Sequence, residues 1–137
     1  METALNKPQG QAGVLPTVLA VDDVPDNLDI LVAHLEQEEI ELIVALSGEE
    51  GVTLATRIKP DLILMDVMMP GIDGFEACRQ LKENPETAKI PLIFLSARSD
   101  EKYIERGLSL GAVDYIYKPV SVPLLKARLR NHLAPKY

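Results

Sequence analysis

Several scarcities bound the problem before any motif is read. One cysteine, Cys78, stands among 137 residues. It has no partner for an internal disulfide, which agrees with a reducing compartment. No apolar run approaches the roughly 20 residues of a membrane-spanning helix. Residues 1–16 have neither the basic opening nor the apolar block of a signal peptide, so the chain is expected in the cytoplasm. Positive charge is short as well. Fourteen Lys and Arg against 21 Asp and Glu give a formal charge of -7. Non-specific DNA binding needs a basic surface to neutralise phosphates, so direct nucleic-acid binding is not expected. Internal repeats are absent, and low-complexity sequence does not extend past the first fifteen or so residues.

The remaining composition, 47% hydrophobic and 26% charged, is that of one ordinary globular domain without room for a second core. Residues 1–15, rich in Pro, Gly and Gln, read as a flexible tail or linker. Residues 16–134 form the domain, and 135–137 are its C-terminal end. Within it, four short apolar runs each stop at a particular polar residue. Val18 to Val21 stops at Asp22-Asp23, Leu62 to Met65 at Asp66, Leu92 to Leu95 at Ser96, and Tyr115 to Tyr117 at Lys118. Continuous apolar runs of this length, separated by amphipathic stretches, are the pattern of buried parallel strands.

The segments between them read as helices. One begins near Pro25, where proline suits a first turn, with Leu28, Leu31, Val32 and Leu35 as its buried stripe. Glu41 to Leu46 is an edge strand. Ser47-Gly48-Glu49-Glu50 fits a capping box opening a helix that runs to Lys59. A turn-forming loop from Met68 to Gly74 precedes a helix from about Phe75, which buries Phe75, Cys78 and Leu81 and ends at Asn84-Pro85. Ser99 is placed to cap a helix through Leu110, with Gly111 as terminator. A last helix starts near Ser121 and continues through Leu125, Leu129 and Leu133. Five repeats of strand then helix imply an α/β fold, a doubly wound parallel sheet. In such a sheet the ligand site lies beyond the carboxyl ends of the strands, so the four stops should converge.

Taken singly, each stop has a bland explanation. Asp22-Asp23 would serve as a turn or helix cap, Asp66 as a loop starter, Ser96 as a local backbone partner and Lys118 as a surface lysine. Together they place three carboxylates, a hydroxyl and an ammonium at one end of a sheet. Three adjacent carboxylates repel one another, and a bound cation removes that cost. Carboxylate oxygens with water suit magnesium.

On these residues, with Met65 to Gly74, Leu95-Ser96-Ala97 and Tyr115 to Pro119, the chain resembles the receiver domains of two-component response regulators, the family that includes the chemotaxis response regulator. The resemblance covers residues 16 to 133. It implies a flavodoxin-like five-stranded sheet of order 2-1-3-4-5, and Asp66 as phosphoacceptor for a histidine kinase or histidine phosphotransfer protein. It also implies Mg2+ (or Mn2+) held by Asp22, Asp23, Asp66 and the backbone carbonyl of Met68. Lys118, Ser96 and the Ala97 N–H would contact the phosphoryl oxygens, and the Lys118-Pro119 bond would be cis. Ser96 and Tyr115 would form the switch, with Tyr115 turning inward to reshape the face of the fourth helix, fifth strand and fifth helix. That face would meet an output domain or downstream protein, and a homodimer on phosphorylation is compatible with it. The one departure is serine at position 96, where threonine is as common; the hydroxyl is kept.

Other features read as structural. Cys78 lies on an apolar stripe, and His34 and His132 are expected to face solvent without metal-ligand spacing. Tyr117 is expected on the strand face opposite Tyr115, and Lys126, Arg128 and Arg130 form a solvated or partner-facing surface. Met65, Met68 and Met69 fill gaps. A phosphatase of the haloacid-dehalogenase type would need a second Asp two residues after Asp66, and Met68 stands there. A flavin or nucleotide protein would need a Ser/Thr/Gly cradle where Asp22-Asp23 stands. A receiver that docks without being phosphorylated would lack some of these groups, and none is missing. No turnover of an external substrate is therefore expected. Val24 to Leu28 and Leu125 to Leu133 look similar to receivers joined to cyclic-dinucleotide enzymes or hybrid kinases.

Overall fold

The computed structural model describes residues 15–133. Nearly all of the expected tail, and the end over 135–137, lie outside the described residues. Strands β1 (Thr17–Val21), β2 (Glu41–Ala45), β3 (Leu62–Asp66), β4 (Leu92–Ser96) and β5 (Asp114–Tyr117) alternate with helices α1 (Pro25–Leu35), α2 (Gly48–Ile58), α3 (Gly74–Glu83), α4 (Glu101–Ser109) and α5 (Val122–Leu133). The strands form one parallel sheet in the order β2-β1-β3-β4-β5, as the fold reading expects.

Every residue of β3 and β4 is buried, which explains their unbroken apolar character: helices cover both faces. Side chains alternate across the sheet. Leu19, Val21, Ile63, Met65, Phe94 and Tyr115 enter one core with residues of α2 and α3. Val18, Ala20, Leu62, Leu64, Ile93 and Ile116 enter the other, against the leucines of α1 and α5. Each buried Leu or Phe contributes about 1.5–3 kcal/mol.

Local differences from the sequence reading have local causes. In α1 the buried residues are Leu28, Leu31 and Leu35, while Val32 is exposed. One helical step past Leu31 turns Val32 about 100° away from the sheet. Helix α4 starts after Asp100, not Ser99, and the Asp100 carboxylate pairs with Arg98 at 3.2 Å rather than capping the helix. Ser47 does cap α2, accepting the Glu50 N–H at 3.0 Å. The Glu50 carboxylate, however, turns to the Leu46 N–H at 2.7 Å, so the box is not reciprocal. Tyr117 lies on the same strand face as Tyr115, because residues two apart in a strand share a face; their rings are 6.1 Å apart. The basic residues of α5 are tied to this chain's own acids. Arg128 meets Asp114 at 2.9 Å, and Lys126 and Arg130 meet Glu38 at 3.5 and 3.4 Å. His132 is half-buried and reaches Asp114 at 3.6 Å.

Candidate functional site

Parallel strands of matched length bring their carboxyl ends to one edge. Register pairs Val21 with Met65, Asp66 with Leu95, and Ser96 with Tyr117. The residues that follow therefore meet there. Asp22, Asp23 and Asp66 each present a carboxylate oxygen, all within 4.8 Å of one another. Lys118 crosses to them from beyond β5. Its backbone N–H donates to the Ser96 carbonyl at 2.7 Å, and the Lys118-Pro119 bond is cis. Its ammonium lies 2.9 Å from Asp22 Oδ2 and 3.3 Å from Asp66 Oδ1.

Electrostatics follow from that placement. Burial pushes the Asp66 carboxyl up from an ordinary 3.8 to about 6. Lys118 opposes the rise, and Asp22 and Asp23 add to it. Burial also disfavours the Lys118 ammonium, but Asp22 and Asp66 outweigh it and hold its pKa above the ordinary value. Asp22 is fully engaged, with Oδ1 accepting the Val24 N–H at 2.9 Å and Oδ2 accepting Asn27 Nδ2 at 3.1 Å. Asp23 is half-buried and has no hydrogen-bond donor or cation paired with it among the described residues. Three carboxylates and one ammonium leave a local charge of -2. That donor set of clustered hard oxygens fits a divalent cation such as magnesium.

Ser96, Ala97 and Met68 lie at or just beyond the carboxyl ends of β4 and β3. Ser96 is fully buried and its hydroxyl accepts the Arg98 N–H at 3.0 Å. Ala97 follows it on the exposed side, and with Asp22, Asn27, Leu31, Lys118 and Pro119 it lines a groove of about 480 Å³. Met68 is exposed in the loop after β3. Gly74 lets that loop fold back: a Cβ there would lie 2.1 Å from the Asp66 carbonyl oxygen. Glu49, at the start of α2, holds the loop by accepting the Ile72 N–H at 3.2 Å.

Tyr115 is already turned inward in this structure. Its ring is buried, and its hydroxyl donates to the Arg98 carbonyl at 2.7 Å. Burial raises the phenol's pKa, while the Ser96 hydroxyl and Arg98 counter it. Sequence reasoning missed two residues. Asn27 lies five positions after Asp22, in the first turn of α1, a spacing that could have flagged it. Arg98 stacks on Tyr103 at 4.2 Å and pairs with Asp100, contacts with no signature in the sequence. Cys78 is buried, and burial pushes its thiol up to about 11, so it is a core residue with little thiolate.

Residues 18–130 match the family model for the response regulator receiver domain. The chain belongs to that family. This receiver is 42% identical over 120 residues to a probable cyclic di-GMP phosphodiesterase of Vibrio cholerae, covering 88% of this chain and 27% of that protein. It is 40% identical to protein PilH of Pseudomonas aeruginosa over 117 residues, covering 85% of this chain and 97% of PilH. Among solved structures, a putative response regulator from Chloroflexus aurantiacus superposes with a TM-score of 0.84 at 34% identity, over 88% of this chain and 99% of that one. The receiver thus spans about a quarter of the Vibrio relative and nearly all of PilH. No helix among its described residues is long and apolar enough to cross a membrane.

Proposed function

We propose that this receiver, a domain over residues 16–134, is a phosphorylation-controlled switch that takes a phosphoryl group onto Asp66 from a histidine kinase or histidine phosphotransfer protein. The observation that carries the proposal is the cluster of three carboxylates within 4.8 Å, bridged by Lys118 at 2.9 and 3.3 Å. An Asp66 oxygen attacks phosphorus, the bond from phosphorus to the donor's imidazole nitrogen breaks, and that nitrogen leaves with the electron pair. The product is an aspartyl phosphate. Water later cleaves it, returning the Asp66 carboxylate and inorganic phosphate, so no external substrate is turned over.

Asp22, Asp23, Asp66 and the Met68 carbonyl would hold Mg2+, and Mn2+ suits the same oxygens. When bound, the cation screens the repulsion between Asp66 and the incoming phosphoryl group. Lys118 then pairs with one phosphoryl oxygen, and the Ser96 hydroxyl and Ala97 N–H donate to others. Because the Ser96 hydroxyl adjoins the Tyr115 phenol and the Arg98 loop, moving it biases where Tyr115 settles and reshapes the α4-β5-α5 face. That face meets an output domain, a downstream protein or a second copy. The Vibrio relative's name makes cyclic-dinucleotide turnover one candidate output. Cytoplasmic placement follows from the kinase's phosphoryl donor being there.

The test is labelling with a small phosphodonor and Mg2+. Wild type should acquire a hydroxylamine-sensitive phosphate and Asp66→Asn should acquire none. Equal labelling of the variant would move the acceptor elsewhere.

A further inference from the structure

Asp22 holds more donors than cation binding asks of it. It is 3% exposed, and its two oxygens accept three donors: the Val24 N–H, Asn27 Nδ2 and Lys118 Nζ. Among the described residues, the Asp66 side chain accepts from Lys118 alone, at 3.3 Å. The ammonium therefore rests nearer to Asp22 than to Asp66. To meet an oxygen of a group attached to Asp66, Lys118 must move away from Asp22. A buried carboxylate that loses its cation depends on the donors that stay behind.

Asn27 is placed to be that donor. It is the third residue of α1, half-buried, and its backbone N–H already donates to the Val24 carbonyl at 3.0 Å. Its side-chain amide is thus free of the helix's own needs and lies 3.1 Å from the same Asp22 oxygen that Lys118 contacts. Being neutral, it satisfies Asp22 without competing with Lys118 for the phosphoryl charge.

We propose that Asn27 is a positioning residue for phosphoryl transfer, whose side-chain amide keeps Asp22 satisfied and aimed while Lys118 moves from Asp22 to the phosphoryl group. The inference rests on the reading of Asp66 as phosphoacceptor. Without the amide, Lys118 is the sole side-chain donor on Asp22 among the described residues and is held back. With a carboxylate of the same shape at position 27, Lys118 is drawn back further, while the added charge favours a divalent cation. Cation affinity and phosphoryl transfer then move in opposite directions, which neither a structural role nor a metal-orienting role would produce.

The experiment measures phosphorylation of the full chain by phosphoramidate at saturating Mg2+, with Mg2+ binding alone followed by calorimetry and folding by thermal melting. Asn27→Ala should be about tenfold slower than wild type, the effect of one lost hydrogen bond to a charged group. Its Mg2+ affinity should change little, and its melting temperature should fall by a few degrees, because the same hydrogen bond is lost from the resting fold. Asn27→Asp should be slower again although Mg2+ binds at least as tightly, and Asn27→Ser, which keeps a donor, should recover part of the rate. Variant rates equal to a labelled wild type would overturn the inference alone, as would an Asn27→Asp rate that rises with its Mg2+ affinity. A wild-type chain that takes no label would overturn the phosphoacceptor reading and this inference with it.

Discussion

Asp66→Asn should make the metal-free protein more stable, although it removes the proposed phosphoacceptor. The magnitude comes from the site. The Asp66 carboxyl titrates at about 6 rather than 3.8, chiefly because it is buried, and its side chain is only 9% exposed. That difference corresponds to about 3 kcal/mol between the two protonation states. The sign follows from which state holds the proton. Between pH 3.8 and about 6 the folded chain keeps a proton that the unfolded chain has released. Stability from this group is therefore complete below about pH 3.8 and is lost as pH rises through about 6. Above that range the wild type folds around a desolvated charge that asparagine, of the same shape, does not carry.

Urea unfolding followed by far-UV circular dichroism in the absence of divalent cations is the direct assay. At pH 7.5 the variant should be more stable by up to about 3 kcal/mol, or roughly 10 °C in melting temperature. The gap should shrink to about half at pH 5 and vanish near the ordinary carboxylate range. Saturating Mg2+ should close it at neutral pH, since a cation at 100 times its Kd stabilises by about 2.7 kcal/mol. A variant no more stable than wild type at pH 7.5, or a gap unchanged at pH 5, would refute the account of Asp66 as a carboxylate held against its own desolvation.

Lys118→Ala removes the cation shared by two buried carboxylates, so the metal-free protein should lose about 3 kcal/mol by urea unfolding. Calorimetry should still detect Mg2+, but phosphodonor-driven chemical-shift changes should disappear. Gly74→Ala places a Cβ 2.1 Å from the Asp66 carbonyl oxygen. Backbone cannot yield as a side chain does, so about 3 kcal/mol of stability should be lost; an unchanged unfolding midpoint would show that the loop relaxes freely. Tyr115→Phe removes the hydroxyl that donates to the Arg98 carbonyl. It should cost about 1 kcal/mol and leave Mg2+ affinity unchanged, because the ring's packing is kept.

How far each feature was legible in the sequence depended on the range of the interaction that determines it. β3 and β4 were legible because burial on both faces removes any polar alternation, and Gly111, at a φ of 110°, marked the end of α4. Val32 was misplaced because an apolar residue at the rim of a stripe has no periodicity of its own to separate it from Leu31. Ser99 is not the cap because α4 begins one residue later than expected, at Glu101, and Asp100, which takes the cap position, gives its carboxylate to Arg98 two residues earlier, a pairing that propensity does not register. At the site, residue types and strand-end positions were enough to predict convergence of Asp22, Asp23, Asp66 and Lys118. Whether Lys118 favours Asp22 or Asp66 was not legible. That choice depends on tenths of an ångström between groups 96 and 52 residues apart in the chain.

The same comparison explains why the site can be a switch. Its charges are not neutralised within the fold: Lys118 serves two carboxylates, and Asp23 is paired with no cation among the described residues. The buried sheet tolerates this because both cores lie behind it and are complete without it. A cluster that the fold does not need, and that burial holds away from its electrostatic optimum, responds strongly to any cation or phosphoryl group that changes its charge. Tyr115 and Arg98 both meet Ser96, at the strand end beside the cluster. In the proposed switch the path from charge to outer surface is short, one hydroxyl and one ring long, and cutting it at the tyrosine hydroxyl should leave phosphodonor labelling of Asp66 intact while the response of the outer surface is lost.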